Sequence, residues 1–107
     1  MYSSVKTLTL IGTDTRQVSV EADVSEGMPV FEMVGFLGSE VKEARERVRT
    51  ALKNSGCFLP PKRITVNLSP ADIRKSGTSY DLAVAISLMS AMGLLEPAAY
   101  DGCIILG

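Results

Sequence analysis

Gly77-Thr78-Ser79 sets a serine hydroxyl just ahead of an apolar stretch that reads as a helix. At a helix N-terminus the free backbone N–H groups and the helix dipole favour negative charge, so such a hydroxyl could be acidified, or the turn could hold an anion. A serine nucleophile still needs a base. The chain contains no histidine, which removes Ser-His and Cys-His dyads and His-ligated zinc and leaves only lysine for that role. The plainer reading of Ser79 is a residue at or beside the helix cap. Asp81 offers the same two readings. It could be a catalytic carboxylate, but Thr78 and Asp81 stand three residues apart, the spacing of a capping box, whose side chains satisfy free N–H groups of the first turn. A cap is worth about 0.5–2 kcal/mol, and Thr78 and Asp81 are assigned to this structural helix N-terminus.

Other chemistry is thinly supported. Neither a GxxxxGK[ST] phosphate loop nor a GxGxxG fingerprint occurs. Gly35-Phe36-Leu37-Gly38 precedes a helix and resembles a phosphate cradle only superficially; a plain strand-to-helix turn explains it. Cys57 and Cys103 are far apart with no CxxC spacing, so a metal site is not expected. Cys103 lies in an apolar run and reads as a buried free thiol, and Cys57 is given no role. No catalytic, cofactor-binding or metal-binding residue is therefore assigned.

Charge is the one feature that points to a partner. Residues 1–41 carry a net charge of −4, residues 42–75 a net +6 and residues 76–107 a net −3. Lys42, Arg45, Arg47, Arg49, Lys53, Lys62, Arg63, Arg74 and Lys75 supply the basic middle. Of these, Arg45, Arg49 and Lys53 recur at four-residue spacing and share one helical face, a candidate nucleic-acid contact. A solvated helix face, with Glu40, Glu43 and Glu46 among the same residues, is the alternative. The pairs Lys62-Arg63 and Arg74-Lys75 flank a strand that spans roughly 20 Å, so a single patch including both is not expected.

The elements that position these groups follow from periodicity. Lys6–Ile11 reads as a strand with Leu8 and Leu10 on one face. Gly12-Thr13-Asp14-Thr15 is a turn, after which Val18, Val20, Ala22 and Val24 alternate with polar residues, the period of a half-buried strand. Val30–Val34 is a third strand, closed by Gly35. Ser39 is the expected N-cap of a helix whose inner face is Val41, Ala44, Val48, Ala51, Leu52 and Ser55. Glu43 and Arg47 are placed for an i,i+4 ion pair. Gly56 is the expected residue after the helix, and Pro60-Pro61 forbids its continuation. Ile64, Val66 and Leu68 mark a fourth strand. Leu82 to Met92 is apolar nearly all round and is expected to be a buried helix, with Leu82, Ala85, Ile86 and Met89 in the core. Gly102–Leu106 is a fifth strand.

The order β-β-β-α-β-α-β describes an α/β (α+β) two-layer domain. Its 107 residues form one domain, and the apolar strand at its end suggests a piece of something longer. No run of about 18 apolar residues is present to cross a membrane, and the N-terminus lacks the pattern of a signal peptide. A cytoplasmic protein is expected.

Four stretches, GMPVFEMVGF (27–36), EVKEARERVRTALKNSG (40–56), PPKRITVNLSPADIRKSG (60–77) and YDLAVAISL (80–88), resemble in combination the N-terminal domain of the magnesium-chelatase-like, competence-associated AAA+ ATPases. Leu37-Gly38 and Ala83 depart from the family pattern, which has proline near each place; such changes should alter local geometry rather than fold. The resemblance implies a fold similar to the proteolytic domain of Lon and to the second domain of a small-subunit ribosomal protein, with a left-handed βαβ crossover against the usual right-handed rule. In Lon-like peptidases a Gly-x-Ser segment opens the central helix, and Gly77-Thr78-Ser79 falls there. Tyr80 and Asp81 replace the small residues that follow in the peptidases, and the position of Lon's partner lysine falls beyond the end of this chain. Ser79 is accordingly read as a coincidence. The resemblance further implies a non-catalytic accessory domain of a DNA-processing motor. Its downstream AAA+ domain would bind ATP and magnesium, and the full-length protein would be a homo-oligomer, a hexameric ring. A Lon-type Ser-Lys peptidase domain and a magnesium-chelatase motor component are the alternatives.

Overall fold

The computed structural model describes residues 1–11, 13–75, 80–96 and 104–105. Strands β1 (Tyr2–Ile11) and β2 (Asp14–Ser25) form a long antiparallel hairpin. β3 (Val30–Val34) leads into α1 (Ser39–Asn54), β4 (Arg63–Ser69) follows, and α2 (Asp81–Ala91) completes the named elements. The sheet order is β1-β2-β4-β3. β4 is antiparallel to β2 and parallel to β3, so β3-α1-β4 is a βαβ unit between adjacent strands. The fold is thus a mixed sheet backed by two helices, as the sequence pattern indicates. Of the expected fifth strand the described residues show Ile104 bridging Lys6 in parallel and the Ile105 N–H donating to the Lys6 carbonyl at 2.8 Å; Gly102, Cys103 and Leu106 lie outside the described residues.

One face of the sheet is apolar and the other polar, and the period-2 pattern dictates which. Val18, Val20, Ala22 and Val24 of β2 and Ile64, Val66 and Leu68 of β4 are all buried. They join Val41, Val48 and Leu52 of α1 and Ala83, Val84, Leu88 and Ala91 of α2 in a single core cluster. The register sets Val20 opposite Leu68 and Ala22 opposite Val66, so the inward side chains meet across neighbouring strands. On the outer face Lys6 Nζ donates to Ser19 Oγ at 2.5 Å, and the Tyr2 hydroxyl donates to Glu21 at 2.5 Å.

Several local expectations are corrected. Leu8 and Leu10 do share a face of β1, but it is not the core face, and Leu10 is 73% exposed. The inward positions are Ser3, Val5 and Thr7. Ser3 is tolerated there because its hydroxyl donates to the Ser87 carbonyl of α2 at 2.6 Å. β4 pairs with β2 only from Ser19 onward, so the distal part of the β1–β2 hairpin projects beyond β4 and Leu10 is left uncovered by the described residues.

Ser39 is the first helical residue of α1, not its cap. Gly38 is the N-cap, its backbone extended, with no side-chain cap bond. Ala51 and Ser55 are exposed, and the buried face of α1 is Val41, Ala44, Val48 and Leu52. Gly56 follows the helix at φ +83°, the left-handed conformation expected of a C-terminal glycine.

α2 is buried on one face only. Leu82 is 45% exposed, and Ala85, Ile86 and Met89 are half-buried. The fully covered positions are Ala83, Val84, Ser87, Leu88 and Ala91. A helix that is apolar on every side carries no periodic signal to say which side faces the sheet. Of the two departures from the family pattern, Leu37 is buried and bridges Lys75, and Ala83 faces the core.

Candidate nucleic-acid interface

Arg45, Arg49 and Lys53 are exposed on one side of α1, as their spacing requires. The helix packs beside β3, and this decides what the three meet. The Arg45 guanidinium donates to the Phe31 carbonyl at 3.3 Å, and its Nε lies 3.8 Å from Glu46. Arg49 sits over the Phe31 ring, 5.7 Å from its centroid, a cation–π arrangement, and lies 3.7 Å from Glu46. Lys53 has no ion pair among the described residues.

Arg49 and Lys53 form one wall of a groove of about 520 Å³. Phe31 and Ile64 contribute from the strands, and the opposite wall is the segment from Phe58 to Lys62 that links α1 to β4. Lys62 adds a third cation, its Nζ 3.1 Å from the exposed Glu26. Phe58 is 69% exposed. At its start the Cys57 N–H donates to the Leu52 carbonyl of α1 at 2.8 Å; near its end the Lys62 N–H donates within the segment to the Pro60 carbonyl at 2.8 Å, just before β4 begins at Arg63. Sequence reasoning missed Phe58 and left Lys62 outside the stripe, because a loop brings them to the helix across the βαβ unit. The exposed phenylalanine between the helix end and Pro60-Pro61 is the signal that could have found it.

Two other basic residues, Lys75 and Arg47, go elsewhere. Lys75 is buried, its Nζ donating to the Pro70 carbonyl. Burial pushes its pKa below the ordinary lysine value, opposed by the charge of Asp72. Arg47 turns to the other side of α1 and forms a two-pronged pair with Asp81. This replaces the expected Glu43–Arg47 pair, and it holds the Arg47 pKa above the ordinary arginine value.

Asp81 is the first residue of α2, with Tyr80 in the cap position and no side-chain cap bond. Its carboxylate reaches across to Arg47 of α1, and the expected capping box rests on Thr78. Thr78 and Ser79 lie outside the described residues. The buried Tyr80 hydroxyl has no partner among the described residues. Cys57 is a free, half-buried thiol packed against the core. The described residues contain no cluster of three or more potential metal ligands and no helix long and apolar enough to cross a membrane.

The family model described as subunit ChlI of Mg-chelatase matches residues 20–107. This chain belongs to the ChlI family. ChlI-family relatives include the uncharacterized protein YifB of Escherichia coli, 44% identical over 99 residues, which are 92% of the chain and 20% of YifB. The competence protein ComM of Haemophilus influenzae is 44% identical over 86 residues, 80% of the chain and 17% of ComM. An uncharacterized protein of Mycobacterium tuberculosis is 36% identical over 96 residues, 90% of the chain and 19% of that protein. The chain thus spans about a fifth of the length of the relatives it matches. The ChlI-family match includes α1, β4 and α2, and with them every residue of the groove.

Proposed function

We propose that the chain is a non-catalytic accessory domain of a magnesium-chelatase-like AAA+ ATPase that processes DNA in competence or recombination. In this reading it is the Lon-like N-terminal domain of a longer cytoplasmic protein, and it positions DNA or organises the motor ring. ATP and magnesium belong to the AAA+ domain of the full-length homo-oligomer. The observation that carries the DNA contact is the convergence of Arg49, Lys53 and Lys62 on one groove, with Arg45 a turn away on the same face of α1. Kinship with a competence protein supports the setting, as does the length of the relatives, which leaves room for a motor.

Lysine and arginine bind phosphate by releasing counterions, so affinity falls with salt at a log–log slope of about −0.9 per phosphate contacted on a duplex. The test compares the full-length protein with an Arg45→Glu, Arg49→Glu, Lys53→Glu variant on DNA across a salt series. Loss of three contacts should flatten the slope by roughly 2–3 and weaken binding at low salt. Equal affinity and equal slope would show the stripe to be a solvated helix face.

A further inference from the structure

We propose that the groove between α1 and the Phe58–Lys62 segment binds single-stranded DNA, stacking an unpaired base on Phe58 while Arg49, Lys53 and Lys62 hold the flanking phosphates. This rests on the reading of the α1 face as a DNA contact and adds what that face recognises.

Two observations favour a single strand over a duplex, and a third fits the phosphates of either. The first is the ring itself. Phe58 is 69% exposed on a short segment whose start is tied to α1 by the Cys57–Leu52 hydrogen bond and whose end runs into β4 at Arg63. A large apolar ring presented in this way gains by meeting a flat apolar partner, and the face of a base is available only when the base is out of its stack. The second is the apolar lining. Val30, Phe31, Leu59 and Ile64 line the groove together with the cations, which suits a ligand with an apolar body and a charged backbone better than the uniformly polar outer surface of a duplex. The third is the spacing of the charges. Arg49 and Lys53 stand one helical turn apart, about 6 Å along the axis, a separation that matches successive phosphates of an extended strand. Lys62 faces them from the opposite wall.

Glu46 and Glu26 are the acidic neighbours, at 3.7 Å from Arg49 and 3.1 Å from Lys62. Both carboxylates are highly exposed, so exchanging either pair for a phosphate contact costs little. Arg49 already lies over Phe31, which fixes its guanidinium at the groove wall and leaves its outer face to the ligand.

The chain contains no tryptophan, so Phe58→Trp introduces an emission centre at the groove, read in the full-length protein as the fluorescence gained over wild type. Oligothymidine should quench that emission saturably. An abasic oligomer of the same length should not, because it supplies phosphates without bases, and a duplex should quench it less. Phe58→Ala should weaken oligothymidine binding roughly 5- to 150-fold with little effect on a duplex, while Phe58→Leu, which keeps apolar bulk without the ring, should recover only part of the loss. If the emission does not respond to oligothymidine while the Arg45, Arg49, Lys53 glutamate variant still weakens DNA binding, base stacking is refuted and the phosphate surface stands. If neither responds, the DNA-contact reading falls with it. Equal quenching by duplex and single strand, or stronger quenching by an acidic aromatic peptide, would overturn the assignment to single-stranded DNA.

Discussion

The guanidinium of Arg47 on α1 donates to both oxygens of Asp81 on α2, Nε to Oδ2 at 2.7 Å and a terminal nitrogen to Oδ1 at 3.0 Å. The same group donates to the Glu40 carbonyl at 2.8 Å, so one side chain ties the start of α1 to the start of α2. Because Asp81 begins its helix, its negative charge also complements the dipole of α2. The pair is the polar counterpart of the packing between the two helices and holds them at one spacing over the sheet.

A double-mutant cycle measures this tie. Arg47→Met and Asp81→Asn should each lower stability, and the double variant should lose less than the sum of the two. Both side chains are partly open to solvent, which limits the pair to the upper part of the surface range despite its two-pronged geometry. Urea denaturation at low and high salt checks it, and the coupling should shrink as salt rises. A coupling indistinguishable from zero at low salt would mean that the helices are held by apolar packing alone.

Leu88 and Leu82 lie on the same helix but should respond very differently to truncation. Leu88 is fully buried in the core cluster, whereas Leu82 is 45% exposed beside Arg47 and Ala51. Leu88→Ala should therefore cost about 2–5 kcal/mol and Leu82→Ala less than about 1 kcal/mol. Chemical denaturation midpoints of the two variants decide it, and the reverse order would mean that α2 is rotated on the sheet.

The contrast also explains what could be read from the sequence. β2 and β4 were legible because each has one wet and one dry face, so alternation names the buried residues one by one. α2 was legible as a helix but not in its orientation, since Leu82, Ile86 and Met89 are as apolar as Val84 and Leu88. In β1 the leucines misled because burial goes to Ser3 and Thr7, whose hydroxyls look like surface residues until Ser87 is placed opposite Ser3. Arg47 finds its partner 34 residues away, beyond any helical spacing rule. The α1 stripe was visible as a periodicity, but the groove was not, because its other wall comes from a loop whose path only the fold determines.

Gly35 closes β3 at φ +137°, and a Cβ built there would lie 2.7 Å from the Leu68 carbonyl oxygen. That contact is with backbone of a central strand and cannot be relieved by a rotamer change. Gly35→Ala should cost upward of about 2 kcal/mol from backbone strain and the clash together. Gly56, at φ +83° with nothing within 4 Å of its Cβ position, should cost only the left-handed penalty of about 1–2 kcal/mol on substitution by alanine. Thermal melts of the two variants test the ranking, and equal losses would show that β4 yields freely at Leu68.

Lys75 should give the domain a dependence on alkaline pH. Its side chain is 0% exposed, its ammonium donates to the Pro70 carbonyl, and burial lowers its pKa against the opposing pull of Asp72. A base whose folded pKa lies below its unfolded value binds fewer protons when folded, so stability rises with pH from that lowered value up to the ordinary lysine value of about 10.4. Tyr2 works in the other direction. Its hydroxyl donates to Glu21, which raises its pKa, so ionisation of the unfolded tyrosine near pH 10 begins to favour unfolding. The contribution of Lys75 is therefore best read below about pH 10. Lys75→Met keeps the apolar stem and removes the charge. The difference in unfolding midpoint, wild type minus variant, should increase between pH 7 and pH 10. A difference that stays constant across that range would show that the Lys75 ammonium reaches water in the folded chain.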